Sequence, residues 1–292
     1  MEKLTLPSRA KLNLSLDVLA RRSDGFHDLR MVMCSVELAD DVTVSLRSDG
    51  GINVNSNFAW LPRDSRNLAV KAAEAFFDAV GEPNPGLDIQ MFKRVPVGAG
   101  MAGGSANAAA VLRALNRLTH AGMDAAQLRR IGLAVGSDVP YCIEGGSAQA
   151  EGRGELLTPL GRIPACSVVI CKPAFSISSA DLFRRIDLKP PRTHPDTAGM
   201  LQAIAAGELD AVARRMYNVF EDALPRSCAE IHTIRGALLD AGALGAVMTG
   251  TGSAVFGLFD REETAREAFE RLKKTYRDCF LTQIRSETHF EE

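Results

Sequence analysis

The sequence predicts an α+β protein of two lobes, and three observations carry that expectation. Near the start Leu12, Leu14, Leu16 and Val18 alternate with Asn13, Ser15 and Asp17, the period of a strand. Stretches such as 67–80 and 105–118 repeat apolar residues at helical spacing. A glycine-rich stretch, Pro96 to Ala106, joins a strand pattern to a helix pattern. The earlier part is strand-rich and the later part helix-rich, so the boundary falls near Pro159 to Pro164, with domains 1–160 and 161–292.

The first alternation reads as a half-buried strand, with Lys11 and Asn13 on the face opposite the leucines. Asp24-Gly25 marks a turn, and Val42-Thr43-Val44-Ser45-Leu46 alternates again. Leu68, Ala72, Ala75, Phe76 and Ala79 form the stripe of a helix with Asp64 or Ser65 as cap and Gly81 as stop. A strand over Leu87 to Arg94 leads into the glycine stretch. A helix from about Ser105 to Leu118 follows, with Ala108, Val111, Leu112, Leu115 and Leu118 buried. Another helix starts at Asp124.

Asp138, in Gly136-Ser137-Asp138-Val139-Pro140, reads as a loop residue entering a strand. Gly145-Gly146 and Gly152 to Gly154 punctuate a short strand pair, and Cys166 to Cys171 suits a buried strand. Lys189 to Pro195 is a loop. The chain then reads as helical up to Gly245. A strand, the turn Thr249-Gly250-Thr251-Gly252-Ser253, a strand over Ala254 to Phe259, a charged helix and a last strand near Phe280 to Ile284 close the order.

The 292 residues are 46% hydrophobic and 24% charged, with net charge −2, an ordinary globular balance. No stretch concentrates Lys and Arg, which argues against nucleic acid as the main partner. With neither a signal peptide nor a membrane span legible near the N-terminus, the expected location is the cytoplasm. The six cysteines form no C-x-x-C pair and read as reduced, buried small side chains. The sequence leaves monomer and homodimer both open.

The glycine stretch carries most information. Small residues let the backbone approach a ligand, and the free N–H groups of the following helix attract an anion. Gly98, Gly100 and Gly103 match a dinucleotide fingerprint, with Asp124 as its acid. That fingerprint needs a second parallel strand ending at the acid, where Val111 to His120 instead continues the helix. A Walker A loop needs Lys after its last glycine, where Gly104 stands. A ligand-free turn explains so many small residues poorly. A triphosphate site explains them, with Ser105 either a phosphate or Mg²⁺ contact or the helix cap.

Elsewhere Lys11 offers charge for a transferring phosphoryl group, though a strand-edge lysine is usually just solvated. Asp138 offers a proton acceptor, though a loop aspartate is more often a cap. His27 is a substrate candidate or a surface residue.

Together these residues resemble the GHMP kinases. Pro96-Val97-Gly98-Ala99-Gly100-Met101-Ala102-Gly103-Gly104-Ser105-Ala106 is similar to their phosphate loop, and Thr249 to Ser253 to their C-terminal glycine motif. Ser8 to Leu14, Arg21 to Leu29 and Gly136 to Pro140 resemble the branch that phosphorylates a cytidine diphosphate-linked polyol. The likeness runs in order along nearly the whole chain.

The resemblance implies a ribosomal S5 domain 2-like first domain with a left-handed βαβ unit, and a ferredoxin-like second domain. It implies ATP on the glycine loop with Asn67, and Mg²⁺ carried with the ATP rather than by a protein cage. Lys11 and Asp138 become the catalytic pair. Asn13, His27, Ser179, Gly250, Thr251 and Gly252 become substrate contacts, and Phe26 and Phe183 sandwich the cytosine. Phe26 stands where Tyr is common, and Ser179 where Thr is. Ala102 and Ala106 replace Gly and Ser.

Overall fold

The opening strand runs well past its alternating segment. The computed structural model describes residues 2–289, and in it β1 (Lys3–Arg21) pairs antiparallel with β2 (His27–Leu46) along its length. The register shifts between Asn13 and Ser15, where β1 advances two residues for one on β2. That bulge reverses the alternation. Leu12 and Leu14 pack with Val32 and Cys34 in one core, while Leu16 and Val18 pack with Met31 and Met33 in the other. The expectation of one leucine face is therefore corrected, and so is half-burial: Lys11, Asn13, Ser15 and Asp17 are buried too.

Along its other edge β2 meets three strands in succession. They are β5 (Ser147–Gly152), β11 (Asp278–Arg285) at Ser35 and Val36, and β4 (Leu87–Phe92). β3 (Ile52–Ser56) pairs parallel with β4, and α1 (Leu68–Val80) lies between them in sequence. α1 is capped by Asn67, whose Oδ1 accepts the Ala69 N–H at 3.0 Å, and not by Asp64 or Ser65. Gly81 ends it in the left-handed conformation.

α2 (Gly103–Leu118) starts two residues before the expected Ser105 and buries Ala108, Val111, Leu112 and Leu115. α3 (Ala125–Val135) begins at Asp124, which forms a capping box with Gln127. The acid of the rejected dinucleotide reading is thus a helix cap. A helix, α4 (Val139–Glu144), replaces the strand expected after Asp138. Its pattern is ambiguous because a run of five apolar residues, Val139 to Ile143, fits either form. β5 and β6 (Leu156–Pro159) form the expected hairpin.

In the second half β7 (Ser167–Lys172), β9 (Gly245–Met248), β10 (Val255–Phe259) and β11 pair antiparallel in the order β11-β7-β10-β9. All six residues of β7 are buried, because both sheet faces are covered. Val169 and Cys171 join one core, Val168 and Ile170 the other. The helices of this half are α5 (Ser179–Leu188), α6 (Thr197–Ala206), α7 (Leu209–Ala213), α8 (Glu230–Asp240) and α9 (Glu262–Leu272), and the two-residue β8 (Tyr217–Asn218) pairs parallel with β1. All six cysteines are free and buried. Among the described residues, no helix is long and apolar enough to cross a membrane.

Candidate active site

A cavity of about 1180 Å³ lies where β1, the glycine stretch, α5 and the turn after β9 converge. It exceeds the roughly 300–1,000 Å³ typical of one small-ligand pocket. Lys11, Phe26, His27, Asn67, Asp138, Ser179, Phe183, Gly250, Thr251, Gly252 and the whole stretch from Pro96 to Ser105 line it.

Two of the expected residues lie behind the wall. Ala106 is buried, and its N–H bonds the Ala102 carbonyl within the helix. Asn13 is fully buried and accepts a hydrogen bond from the Lys11 ammonium at 2.5 Å. Lys11 and Asn13 share a face because the bulge follows Asn13.

The cavity end of α2 is a bare helix N-terminus. Ala102 adopts φ 56° and supplies no side-chain cap, and Ser105 sits inside the helix instead of capping it. The N–H groups of Gly103, Gly104 and Ser105 are therefore left for a ligand, with the positive end of the helix dipole behind them. The stretch owes part of its glycine content to neighbouring chain. A Cβ on Gly100 would overlap the Thr249 carbonyl oxygen, and one on Gly250 would come within 2.6 Å of the Gly100 oxygen. The two glycine segments touch backbone to backbone, which side chains would prevent.

Beneath the loop lies a network that sequence reasoning missed. The buried Asp40 pairs with the Lys93 ammonium and accepts N–H bonds from Arg94 at 2.7 Å and Val95 at 2.8 Å. Asn107 bonds both Lys93 and Asp40. Burial lowers the Lys93 pKa, against the pull of Asp40. The Asp40-Asp41 pair just before the alternating segment Val42 to Leu46 looks like a solvated turn, so no local signal marked the burial of Asp40.

Lys11 and Asp138 open onto the same cavity. Both act on the buried Cys142 thiol: burial raises its pKa most, Asp138 raises it further and Lys11 opposes. Asp138 holds the N-cap position of α4 yet makes no capping hydrogen bond, and among the described residues its carboxylate has no partner. The Lys11 ammonium, 4% exposed, has Asn13 as its bonded partner and no carboxylate within 4.0 Å among the described residues. A buried cation and an unengaged carboxylate facing one cleft are groups left for a ligand.

α5 presents Ser179, Phe183 and Asp187 to the cavity, one helical turn apart. Ser179 Oγ lies 2.7 Å from Thr251 Oγ1, tying α5 to the glycine turn. Phe183 stacks on His27 with centroids 4.6 Å apart, and His27 Nε2 lies 2.7 Å from Asp187 Oδ1. Phe26 lies under the Arg153 guanidinium, 3.6 Å from its centroid. The two phenylalanines thus border one cavity with different stacking partners. The buried Asn218 donates to the Met248 and Gly250 carbonyls at 2.7 and 2.8 Å, holding the turn. Asp187 and Asn218 carried no motif.

A two-lobed α+β fold with a bare helix N-terminus at a glycine loop, a lysine and an aspartate defines a small-molecule kinase class. The chain belongs to the GHMP kinases: the family model for the N terminal domain matches residues 67–146 and that for the C terminal domain matches residues 200–278. ATP is the phosphoryl donor of that family, and the chain has its fold. It is 40% identical to the 4-diphosphocytidyl-2-C-methyl-D-erythritol kinase of Alkaliphilus metalliredigens over the full length of both chains. A crystal structure of 4-(cytidine 5'-diphospho)-2C-methyl-D-erythritol kinase superposes with TM-score 0.82 at 32% identity, covering 96% of this chain and 99% of that one. A homoserine kinase from Cytophaga hutchinsonii superposes with TM-score 0.76 at 20% identity, covering 98% and 96%, a likeness of fold alone.

Proposed function

We propose that this protein transfers the γ-phosphoryl group of ATP to the 2-hydroxyl of 4-diphosphocytidyl-2-C-methyl-D-erythritol, a step of the non-mevalonate isoprenoid pathway, in the cytoplasm. The observation that carries the reading is the Asp138 carboxylate, at a cap position but uncommitted, opening onto the same cavity as the buried Lys11.

The triphosphate lies along Pro96 to Ser105, on the N–H groups of Gly103, Gly104 and Ser105, with Asn67 beside it. Phe26 and Phe183 flank the cytosine, His27 and Ser179 contact the substrate, and Gly250 to Gly252 close over it. Asp138 accepts the proton of the attacking hydroxyl while Lys11 offsets charge in transfer. Asn13 serves by bonding the Lys11 ammonium, which aims it. Phosphoryl-transfer transition states are loose, so this positioning outweighs basicity.

Among the described residues no cluster of three metal-ligating side chains exists. The oxygen donors Asp138 and Ser105 on the cavity wall fit Mg²⁺ arriving on the triphosphate, which needs few protein ligands. That ion neutralises phosphate charge when bound. Residues 1–160 supply the ATP loop and the catalytic pair; residues 161–292 supply Ser179, Phe183 and the glycine turn.

The test incubates purified protein with Mg-ATP and, separately, 4-diphosphocytidyl-2-C-methyl-D-erythritol, mevalonate or homoserine, and measures ADP. ADP release with the cytidyl substrate alone is expected. Turnover of homoserine or mevalonate instead would overturn the reading.

A further inference from the structure

One cation on the cavity wall, Arg153, has no carboxylate partner among the described residues and no part in the proposed reaction. We infer that Arg153 binds the diphosphate of the substrate and makes the enzyme favour a cytidine diphosphate over cytidine. The inference rests on the proposed cytidyl substrate and deepens it.

The other cavity-lining cations are engaged. Arg21 pairs with Asp187 at 3.5 Å, Arg66 with Asp64 at 2.8 Å, Arg184 with Asp181 at 2.5 Å, and Lys93 with Asp40. Arg153 has no carboxylate within 4.0 Å among the described residues. Asp24 feels its charge but is bonded to Arg22. The Arg153 Nε is buried without a hydrogen-bond partner, and the side chain's polar link is a long 3.4 Å contact from Nη2 to Ser137 Oγ. A half-buried guanidinium on a cavity wall, with its Nε unbonded and no carboxylate beside it, is matched to an anion that arrives later.

The hairpin is built to hold it there. Gly152 and Gly154 flank Arg153 at φ +67° and +110°, conformations that side chains avoid. The Arg153 N–H donates to Glu155 Oε2 at 2.6 Å, and a Cβ on Gly154 would crowd Met31 at 3.2 Å. This Gly-Arg-Gly turn is the glycine punctuation of the sequence that no element of the reaction had accounted for.

Its position selects the part of the substrate. Arg153 reaches from the ring of Phe26 to Ser137, the neighbour of Asp138. In the proposed substrate the diphosphate joins the cytidine, at Phe26, to the polyol, at Asp138. The guanidinium therefore spans the interval in which two phosphates lie, and its planar fork suits their oxygens. It covers one face of Phe26, which still exposes 47% of its surface, so a base retains ring to stack on.

Calorimetry with cytidine and CDP, at saturating non-hydrolysable ATP analogue, tests this on the wild-type protein and on Arg153→Ala, Arg153→Met and Arg153→Lys. Wild type should bind CDP tighter than cytidine by about tenfold or more, and Arg153→Ala should cut that preference to about threefold or less. Arg153→Lys should recover part of it and Arg153→Met none. In turnover, Arg153→Ala should raise KM for the cytidyl substrate by roughly 10–100-fold, with a far smaller change in KM for ATP. A CDP preference that survives in Arg153→Ala, or that Arg153→Met restores, overturns the inference while leaving the substrate reading intact. Wild-type protein that binds neither ligand overturns both.

Discussion

The Thr249 hydroxyl accepts the backbone N–H of Asn13 at 3.1 Å, joining residues 236 positions apart. The same oxygen lies 3.3 Å from the Gly100 carbonyl. One buried hydroxyl thus meets the strand of Lys11, the Pro96–Ala106 glycine stretch and the C-terminal glycine turn.

Thr249→Val keeps the shape and removes that hydroxyl. The Asn13 N–H is then buried without a partner, which should cost about 1–3 kcal/mol of stability. Because Asn13 also holds the Lys11 ammonium, kcat should fall along with the melting temperature. A variant with wild-type kcat and Tm would mean the bond positions nothing.

Asp138→Asn removes the carboxylate proposed as proton acceptor but keeps the volume. A loss of about 10²–10⁴-fold in kcat is expected, with a much smaller change in KM for either substrate. Steady-state kinetics checks it. Near-normal turnover would take Asp138 out of the chemistry.

Gly100→Ala drives a methyl into the Thr249 carbonyl, at a φ of +74°. Neither backbone can yield without moving the other. Destabilisation on the order of 3 kcal/mol and loss of ATP binding should follow together. Gly104→Ala meets only a Leu68 methyl at 3.5 Å and should fold normally, so thermal melts of the pair separate crowding from general loop sensitivity.

His289 is buried against the α4 end, where burial first, then Arg113 and Arg9, push its pKa down to about 3. Its folded pKa lies below its unfolded value near 6.5, so between about 6.5 and 3 the unfolded chain binds the extra proton. Stability should therefore fall as pH drops through that window, by up to about 1.4 kcal/mol per pH unit from this group. Above pH 6.5 the effect vanishes. His289→Leu should flatten the acid side of the stability curve, as followed by denaturant melts at pH 7, 6 and 5. An unaltered pH slope would exclude His289 as the source.

The glycine loop, the alternation in β1 and the helical stripes of α1 and α2 were legible because each is a short-range pattern. Caps and bulges were less so. Asn67 outcompeted Asp64 and Ser65 because a cap depends on where the backbone turns, and Asp64 was already bonded to Arg66. The bulge after Asn13 left no mark in a perfectly alternating segment, yet it decides that Lys11, Asn13 and Leu16 share a face. Asp40, Lys93, Asn107 and Asn218 escaped notice because a buried polar residue resembles an exposed one until its partners are known.

By itself the sequence determined most of the elements, the glycine loop that opens a helix and the candidate residues for phosphoryl transfer, since periodicity, glycine conformation and helix ends act within a few residues. Only the tertiary structure decided which groups meet. It left Asp138 uncommitted at the head of a short helix, turned Asn13 inward onto Lys11, set Gly100 against Gly250 and aimed Arg153 between Phe26 and Ser137. Those contacts join segments far apart in the chain. Their geometry follows from sheet register and core packing, which no local pattern encodes.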